Sequence, residues 1–344
     1  AAAARAPVPV TFSPSFTLVP TYECFNRCAY CNFREDVGRG AGWMSPEVAQ
    51  EKLAPLRAAG VAEVLVMSGE VSPKARSRPA WVRRVERLCE LALEAGLLPH
   101  VNVGPLSEAE FERLAAVSGG MGLMMESVTD GDRTLAVHSK APSKLPSLRL
   151  EQLHLAGRLG VPFTTGLLLG IGETQAERVA TLAAIAEAHA LHGHVQEVIM
   201  QPYTPGSREA LGASGAGGRF PAGALVEAVA LARRLLPEDV VVQVPPNLAD
   251  ASDDGGDLLL ECLDAGARDL GGISPVDEVN PDHRFPARGG LAARLTSRGY
   301  ALTPRTAVHA HLAGRVRPGR PSEVLADQLR RLRQEATGRG TQQK

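Results

Sequence analysis

Three cysteines lie within eight residues of one another near the start of the chain. They form the pattern Cys24-x3-Cys28-x2-Cys31, directly after a predicted first strand. Iron–sulfur clusters are held by cysteine thiolates, and a cuboidal cluster contains four irons. Three thiolates on one loop therefore leave the fourth iron open, where it can bind the amino and carboxylate groups of S-adenosylmethionine (SAM). The spacing predicts a 4Fe–4S cluster that transfers one electron to bound SAM.

A structural zinc site is the alternative interpretation of the same cysteines. Zinc in such sites takes four protein ligands in tetrahedral geometry, usually from paired short spacings. No fourth Cys or His is close in the sequence, and the next candidates are Cys89 and His100. The cluster is therefore favoured. Cys89 and Cys262 lie in apolar helical contexts, which is typical of unreactive core cysteines.

Two glycine-containing motifs follow other predicted strands. The turn 68–70 combines a small residue, a glycine and a carboxylate, which suits contacts to an ammonium group. The segment 166–173 has glycines that let backbone approach a flat ligand closely. Either motif alone is also compatible with an ordinary turn or with packing. Together with the cysteines they predict a SAM site formed by Ser68, Gly69, Glu70, Gly166, Gly170 and Glu173.

Short apolar, β-branched runs alternate with amphipathic helical patterns along most of the chain. Strands are predicted at 16–19, 63–67, 98–101, 121–125, 163–169, 197–201, 240–244 and 270–273. Helices are predicted between them at 46–59, 81–95, 107–117, 148–159 and 175–189. This alternation predicts an α/β fold, a full or partial (β/α) TIM-type barrel. Active sites of such barrels lie at the carboxyl ends of the strands, where the three motifs fall.

Composition limits the classes of partner. The 37 Lys and Arg residues nearly balance the 38 Asp and Glu residues, so no global field favours nucleic acid or anionic membranes. The longest apolar runs are too short to cross a bilayer. The clustered, odd-numbered cysteines favour the cytoplasm or another reducing compartment, such as a plastid. We expect a disordered extension at 1–11, one barrel at 12–310 and a basic, solvated extension at 311–344.

The three motifs, with Tyr30 directly before the third cysteine, resemble those of the radical SAM superfamily. More narrowly, the chain resembles the family of cyclising subunits of FO synthase, in the branch found in phototrophs. The resemblance covers roughly residues 12–308. The matching stretches are 19–28, 96–105, 121–126, 161–166, 193–201, 244–248 and 271–275. The segment around His309 and His311 departs from the family's pattern, which concerns the terminus rather than the cluster.

The resemblance implies a radical SAM lyase. A 5′-deoxyadenosyl radical would abstract hydrogen from 5-amino-5-(4-hydroxybenzyl)-6-(D-ribitylimino)uracil, and ring closure with release of ammonia would form the deazaflavin chromophore FO. The implied partners are this adduct, the companion radical SAM subunit that makes it, and an electron donor such as ferredoxin or flavodoxin. One alternative is another radical SAM enzyme, either the companion hydroxybenzyl transferase or a biotin- or thiazole-pathway relative. An alternative of a different class is a barrel protein with structural zinc and a binding or scaffold role.

Polar residues at predicted strand ends are candidates for roles in this reaction. Glu126 could hold the ribose hydroxyls of SAM or form a simple salt bridge. His100 and Asn102 are candidate catalytic residues that could bind the uracil or transfer protons during ring closure. His100 could equally be a structural residue with satisfied hydrogen bonds. Amide side chains that suit a uracil edge and a polyol chain are Gln196, Gln201 and Asn247.

Overall fold

The centre of the molecule is a closed barrel of parallel strands. The computed structural model describes residues 6–129, 133–213, 217–249 and 257–341. Its strands are β1 (Val8–Leu18), β2 (Glu23–Cys24), β3 (Glu35–Asp36), β4 (Glu63–Met67), β5 (Leu98–Asn102), β6 (Gly120–Gly122), β7 (Phe163–Leu169), β8 (Val195–Pro202), β9 (Val241–Gln243), β10 (Asp269–Ile273) and β11 (Tyr300–Pro304). From β4 to β10 each strand pairs with the next, and β1 pairs with both β4 and β10. The predicted barrel is confirmed, and it is full rather than partial.

Helices cover the outside of the barrel. They are α1 (Pro46–Leu53), α2 (Arg78–Glu94), α3 (Glu108–Ala115), α4 (Pro146–Arg158), α5 (Gln175–His192), α6 (Ala210–Ala213), α7 (Ala222–Leu235), α8 (Pro246–Ala249), α9 (Leu258–Asp264), α10 (Arg288–Ser297) and α11 (Arg320–Thr341). α3 begins with a capping box, because the Ser107 hydroxyl accepts from the Glu110 N–H and the Glu110 carboxylate accepts from the Ser107 N–H. None of the helices in the described ranges is both long and apolar enough to cross a membrane.

The barrel begins earlier than the sequence analysis predicts. Residues 8–11 belong to β1 rather than to a disordered extension, and Val8 pairs with Tyr300 of β11. Val10 is completely buried. Prolines lack the backbone N–H that a central strand uses, so Pro7 and Pro9 conceal the apolar alternation of this segment. Residues 1–5 of the predicted extension lie outside the described residues.

The C-terminal segment is packed on the barrel, which corrects the prediction of a solvated extension from residue 311. Val324 and Leu325 of α11 are buried in one apolar cluster with Leu98, the first residue of β5. The Gln328 amide donates to the carbonyl of Ala62 over 2.8 Å, just before β4 begins. The sequence does not reveal this packing, because the basic residues of the segment outnumber the few apolar residues that contact the barrel. It covers the amino ends of the strands, and residues 342–344 lie outside the described residues.

Four buried ionisable residues form a network at the amino ends of the strands, here called the barrel floor. The Arg305 guanidinium binds both oxygens of Asp269, at 2.6 and 2.9 Å, and one oxygen of Glu197 at 2.6 Å. The same Glu197 oxygen lies 3.0 Å from Nε2 of His309. Potential ligand atoms of Glu197, Asp269 and His309 lie within 4.8 Å of one another. Arg305 already supplies the positive charge that a metal ion would bring, so the floor is an ion-pair network.

Candidate active site

The three cysteines lie on a loop that follows β1, spanning residues 22–36 and here called the cysteine loop. Its ends are joined by the short β2–β3 ladder, where the Glu35 N–H donates to the Tyr22 carbonyl over 2.8 Å. Its middle is held by the segment that precedes α4, since the Arg27 N–H donates to the Lys140 carbonyl at 2.8 Å. Cys24, Cys28 and Cys31 are all free thiols. The loop is therefore fixed by backbone hydrogen bonds and leaves its thiols available as ligands.

The turn 68–70 fastens the cysteine loop to the carboxyl end of β4. The Gly69 N–H donates to the Thr21 carbonyl over 2.7 Å. A Cβ at Gly69 would lie 2.2 Å from the Glu23 carbonyl oxygen, so only glycine permits this approach. The next N–H, that of Glu70, points to Sγ of Cys24 at 3.3 Å. A hydrogen bond of this kind stabilises a thiolate, and it links two motifs that the sequence analysis treated separately.

The thiols have the environment of buried ligands rather than of reactive nucleophiles. Burial, together with the Glu70 carboxylate, raises the pKa of Cys24 to about 11. Burial likewise raises the pKa of Cys28, although Lys144 opposes this shift. Binding to a metal cluster would remove these protons, because the thiolate is the ligand. The three free thiols on a fixed loop fit a 4Fe–4S cluster, and no fourth Cys or His completes a zinc site with them among the described residues.

Charged side chains surround the cysteine loop on its barrel side. Lys144 donates a hydrogen bond to the Glu126 carboxylate. Arg149, in the first turns of α4, has a guanidinium nitrogen 4.0 Å from a Glu70 oxygen. The other Glu70 oxygen accepts from the Asn26 amide over 2.8 Å. Two carboxylates and two cations are thus brought to one place by β4, the end of β6 and the start of α4.

Glu126 has an unusual backbone. Its φ is 63°, and it is the only non-glycine residue with positive φ among those the structure describes. Such a conformation is strained for a residue with a Cβ, and strain of this kind is concentrated at functional sites. Burial alone would raise the pKa of Glu126, but Lys144 and Arg149 lower it. The side chain is therefore a buried carboxylate held ionised by neighbouring cations.

A cavity of about 330 Å³ runs from the cysteine loop into the barrel. This is within the size range of small-molecule sites. Eight residues predicted from the sequence line it: Cys31, Ser68, Glu70, His100, Asn102, Glu126, Gln201 and Asn247. The carboxyl ends of strands on opposite sides of the barrel therefore place these side chains around one space, which sequence spacing alone could not demonstrate.

His100 and Asn102 lie on the same face of β5 and both line the cavity. His100 is buried, and its Nδ1 has no hydrogen-bond partner among the residues described. Burial lowers the pKa of His100, with Arg305 acting in the same direction against Glu63 and Glu197. The imidazole is therefore neutral at pH 7 and able to accept a proton. The Nδ1 atom without a partner among the described residues favours the candidate role over that of a structural histidine whose hydrogen bonds are satisfied.

Several predicted site residues do not line the cavity. The Glu173 carboxylate accepts from the backbone N–H groups of Gly170 and Ile171 at 2.8 Å each, so it closes its own turn. A Cβ at Gly166 would lie 2.4 Å from the Ile199 carbonyl oxygen, so this glycine lets β7 and β8 pack. The structure thus gives Gly166, Gly170 and Glu173 local structural roles, and Leu168 is the residue of segment 166–173 that lines the cavity.

Gln196 also lies outside the cavity. It is near the amino end of β8, away from the carboxyl ends that carry the site. Its amide donates to the Thr164 hydroxyl at 3.0 Å and to the Ala307 carbonyl at 3.3 Å, and its oxygen accepts from the His309 N–H. The side chain joins the barrel to the segment after β11. Gln196 thus lies outside the cavity, and this position does not support the prediction that it contacts substrate.

Lys144 and Arg149 are site residues that the sequence analysis missed. Both line the cavity. Lys144 belongs to the connection between β6 and α4, which has no strong periodicity, so its path depends on tertiary contacts, and Arg149 lies in the first turns of α4. One signal was present at Arg149, since a cation in the first turns of a helix opposes the helix dipole. The Arg149 Nε is buried without a partner in the described structure, which leaves a donor for a ligand.

Comparisons with known proteins agree with these observations. The model of the Radical SAM superfamily matches residues 18–185. A 7,8-didemethyl-8-hydroxy-5-deazariboflavin synthase from Synechococcus elongatus is 50% identical over 327 residues, covering 94% of this chain and 93% of the relative. The synthase of the same name from Gloeobacter violaceus is 51% identical over 308 residues, covering 89% of this chain and 92% of the relative. The crystal structure of the FeFe-hydrogenase maturase HydG from Carboxydothermus hydrogenoformans has a similar fold, with a TM-score of 0.68 at 19% identity over 96% of this chain and 79% of that one.

Proposed function

The chain belongs to the radical SAM superfamily and, within it, to the 7,8-didemethyl-8-hydroxy-5-deazariboflavin synthases, and on this basis we propose that Cys24, Cys28 and Cys31 hold its 4Fe–4S cluster. The family uses a 4Fe–4S cluster and SAM. The chain is accordingly a radical SAM lyase, which forms the deazaflavin FO by ring closure and release of ammonia. The observation that carries the assignment of the ligands is the cysteine loop, whose free thiols lie beside a cavity lined by buried charged groups.

When bound, the cluster and SAM supply a 5′-deoxyadenosyl radical that takes hydrogen from the substrate. The charged groups beside the cysteine loop match the polar parts of SAM. Glu70 and Glu126 offer carboxylates for its ammonium group and ribose hydroxyls, and Lys144 and Arg149 offer cations for its carboxylate. Lys144 and Glu126 bind each other in this structure. Binding of SAM would break this ion pair and form two others, one at its ammonium group and one at its carboxylate.

The substrate occupies the rest of the cavity in this proposal. Asn102, Gln201 and Asn247 present amide groups that can bind the edge of a uracil ring. The Oδ1 atom of Asn247 is buried with no partner among the described residues, whereas its amide nitrogen donates to Asp277 at 2.8 Å. His100, which is neutral and unpaired, can accept a proton during ring closure. The adduct, its companion radical SAM subunit and a ferredoxin or flavodoxin donor are the proposed partners.

Metal analysis separates this proposal from a structural zinc site. Protein purified without oxygen should contain iron and sulfide and absorb visible light. Replacement of Cys28 by Ala should leave the barrel folded and abolish formation of 5′-deoxyadenosine, because the loop has no fourth cysteine that could replace it as a ligand. Cys89→Ala is the matched control, since Cys89 is a buried thiol in α2 far along the chain from the loop. Zinc in the wild-type protein, or full SAM cleavage by Cys28→Ala, would refute the assignment.

A further inference from the structure

Glu63 is a buried carboxylate that no cation of the described residues contacts directly. It is the first residue of β4, it is 8% exposed, and its side chain lines the cavity. It makes no side-chain hydrogen bond or ion pair with any residue in the described ranges. Burying an unpaired carboxylate is costly, so native proteins seldom keep one without a function.

The floor residue Glu197 provides the contrast. It is also a buried carboxylate near the amino end of its strand, and it also lines the cavity. Its two oxygens receive hydrogen bonds from Thr164 at 2.9 Å, Arg305 at 2.6 Å and His309 at 3.0 Å. All of its charge is therefore matched by protein groups. At the same depth of the same cavity, Glu63 remains available as an acceptor.

A second unpaired group lies one level above Glu63. His100 is 5% exposed, and its Nδ1 atom has no partner in the described part of the chain. β4 and β5 are paired so that Leu65, two residues after Glu63, is level with His100. The carboxylate also acts on the imidazole electrostatically, since it opposes the lowering of the pKa of His100. Both groups are nine-tenths or more buried and face the same space.

The chemistry of the cavity changes with depth. Around Glu63 its lining is rich in hydroxyl, carboxylate and amide groups, contributed by Ser15, Thr164, Glu197 and Gln243. Nearer the cysteine loop the lining includes large apolar and aromatic side chains, namely Phe33, Met67, Met124, Leu168 and Phe285. Flat rings are suited to the second region. A flexible chain with several O–H donors is suited to the first, because carboxylates only accept hydrogen bonds.

We propose that Glu63 binds the polyhydroxy side chain of the substrate at the deep end of the cavity, below His100. This rests on the proposed function, whose adduct carries a ribityl chain on a uracil. The four residue steps from Glu63 to Met67 span about 13 Å along a strand, which leaves room for the rings above the chain. The rings then lie above the chain, beside Asn102, Gln201 and Asn247, between the deep end and the proposed SAM site. Glu63 is thus a specificity-determining residue that selects a hydroxylated substrate.

The test compares two adducts, one with the ribityl chain and one with an unsubstituted alkyl chain of equal length. Binding is measured by calorimetry on the cluster-loaded protein with SAM and without reductant, so that no turnover occurs. We expect the wild type to prefer the ribityl adduct. Glu63→Gln should weaken ribityl binding by about 10- to 100-fold, the effect of losing hydrogen bonds to a charged acceptor, and leave alkyl binding unchanged.

Two further measurements keep the result decisive. The melting temperature of Glu63→Gln should equal or exceed that of the wild type, because no hydrogen bond or ion pair within the protein is lost. Glu63→Met provides a second variant without hydrogen-bonding capacity. The proposal for Glu63 would be overturned by a wild type that binds both adducts with equal affinity. It would also be overturned if the variants lose the same affinity for both adducts, or lose none for either. Failure of the wild type to convert the ribityl adduct into a deazaflavin would instead refute the proposed function.

Discussion

The two ends of the barrel treat buried charge differently. At the barrel floor, Arg305 is shared between Asp269 and Glu197, and His309 completes the set. Near the cysteine loop and inside the cavity, buried polar atoms lack partners in the described structure: Nε of Arg149, Nδ1 of His100 and Oδ1 of Asn247. An unsatisfied buried polar atom costs about 1–3 kcal/mol. The charges of the floor therefore have partners within the protein, while the cavity carries an energetic cost that ligands can relieve.

Backbone conformation follows the same division. The strained φ of 63° at Glu126 is in the wall of the cavity, and the close approach of Gly69 to Glu23 holds the cysteine loop. The floor residues Glu197, Asp269 and Arg305 by contrast lie in or directly after strands, and none of them has a positive φ. This difference between the floor and the cavity predicts that activity and stability can be changed separately by mutation. Substitutions in the cavity should lower activity and leave the stability of the fold unchanged. Substitutions at the floor should lower stability and leave the chemistry of the folded protein unchanged.

The largest effect is expected at His100 and Asn102. His100→Ala and Asn102→Ala should keep the cluster and SAM binding, while deazaflavin formation falls. Loss of a general acid–base group typically lowers the rate about 10²- to 10⁴-fold, which is our expectation for His100. The measurement pairs the rate with the melting temperature of the same variant. A destabilised His100→Ala protein with full activity would assign this residue to the scaffold.

A large effect of the opposite kind is expected at the floor. Arg305→Met leaves Glu197 and Asp269 as buried carboxylates without their cation. Removing one partner from a buried ion pair usually costs about 3–5 kcal/mol in the free energy of unfolding. Denaturant titration should show this loss, while the iron content of the folded fraction stays unchanged. Wild-type stability in Arg305→Met would contradict the structural role of the floor.

The smallest effect is expected at the carboxylates beside the cysteine loop. Glu126→Gln and Glu70→Gln should each weaken SAM binding by about 10- to 100-fold through loss of a charge-assisted hydrogen bond. Cluster content should not change. Glu94→Gln, an exposed carboxylate at the end of α2, is the control. Equal SAM affinity for all three variants, measured by calorimetry, would remove Glu70 and Glu126 from the SAM site.

Much of the barrel follows from local sequence patterns. Apolar runs located the eight barrel strands, and the predicted strand at 63–67 has the limits of β4. The predicted strand at 121–125 is shorter in the structure, because after Gly122 the chain leaves the sheet and returns only as a bridge between Glu126 and Leu167. The ladder of β2 and β3 has two residues in each strand, which is below what periodicity can detect.

Site residues were predictable where a motif directly follows a strand. They were not predictable where contacts between distant parts of the chain determine the position of a side chain. Strand ends located Glu70, Asn102 and Glu126 correctly at the cavity. Gln196 does not reach the cavity, because it directly precedes the predicted strand at 197–201 and therefore lies at the amino end of β8. Lys144 reaches the cavity through the irregular connection before α4, where no local pattern distinguishes it from a surface cation, and at Arg149 the only local signal was a cation in the first turns of a helix.

The measurement that most directly tests the account is anaerobic turnover of the purified chain with SAM, a strong reductant and the uracil–hydroxybenzyl adduct. No companion enzyme is added. The account predicts a fluorescent deazaflavin that accumulates together with ammonia and 5′-deoxyadenosine, and no product without SAM. Cluster-loaded protein that cleaves SAM at full rate but leaves the adduct unchanged would contradict it.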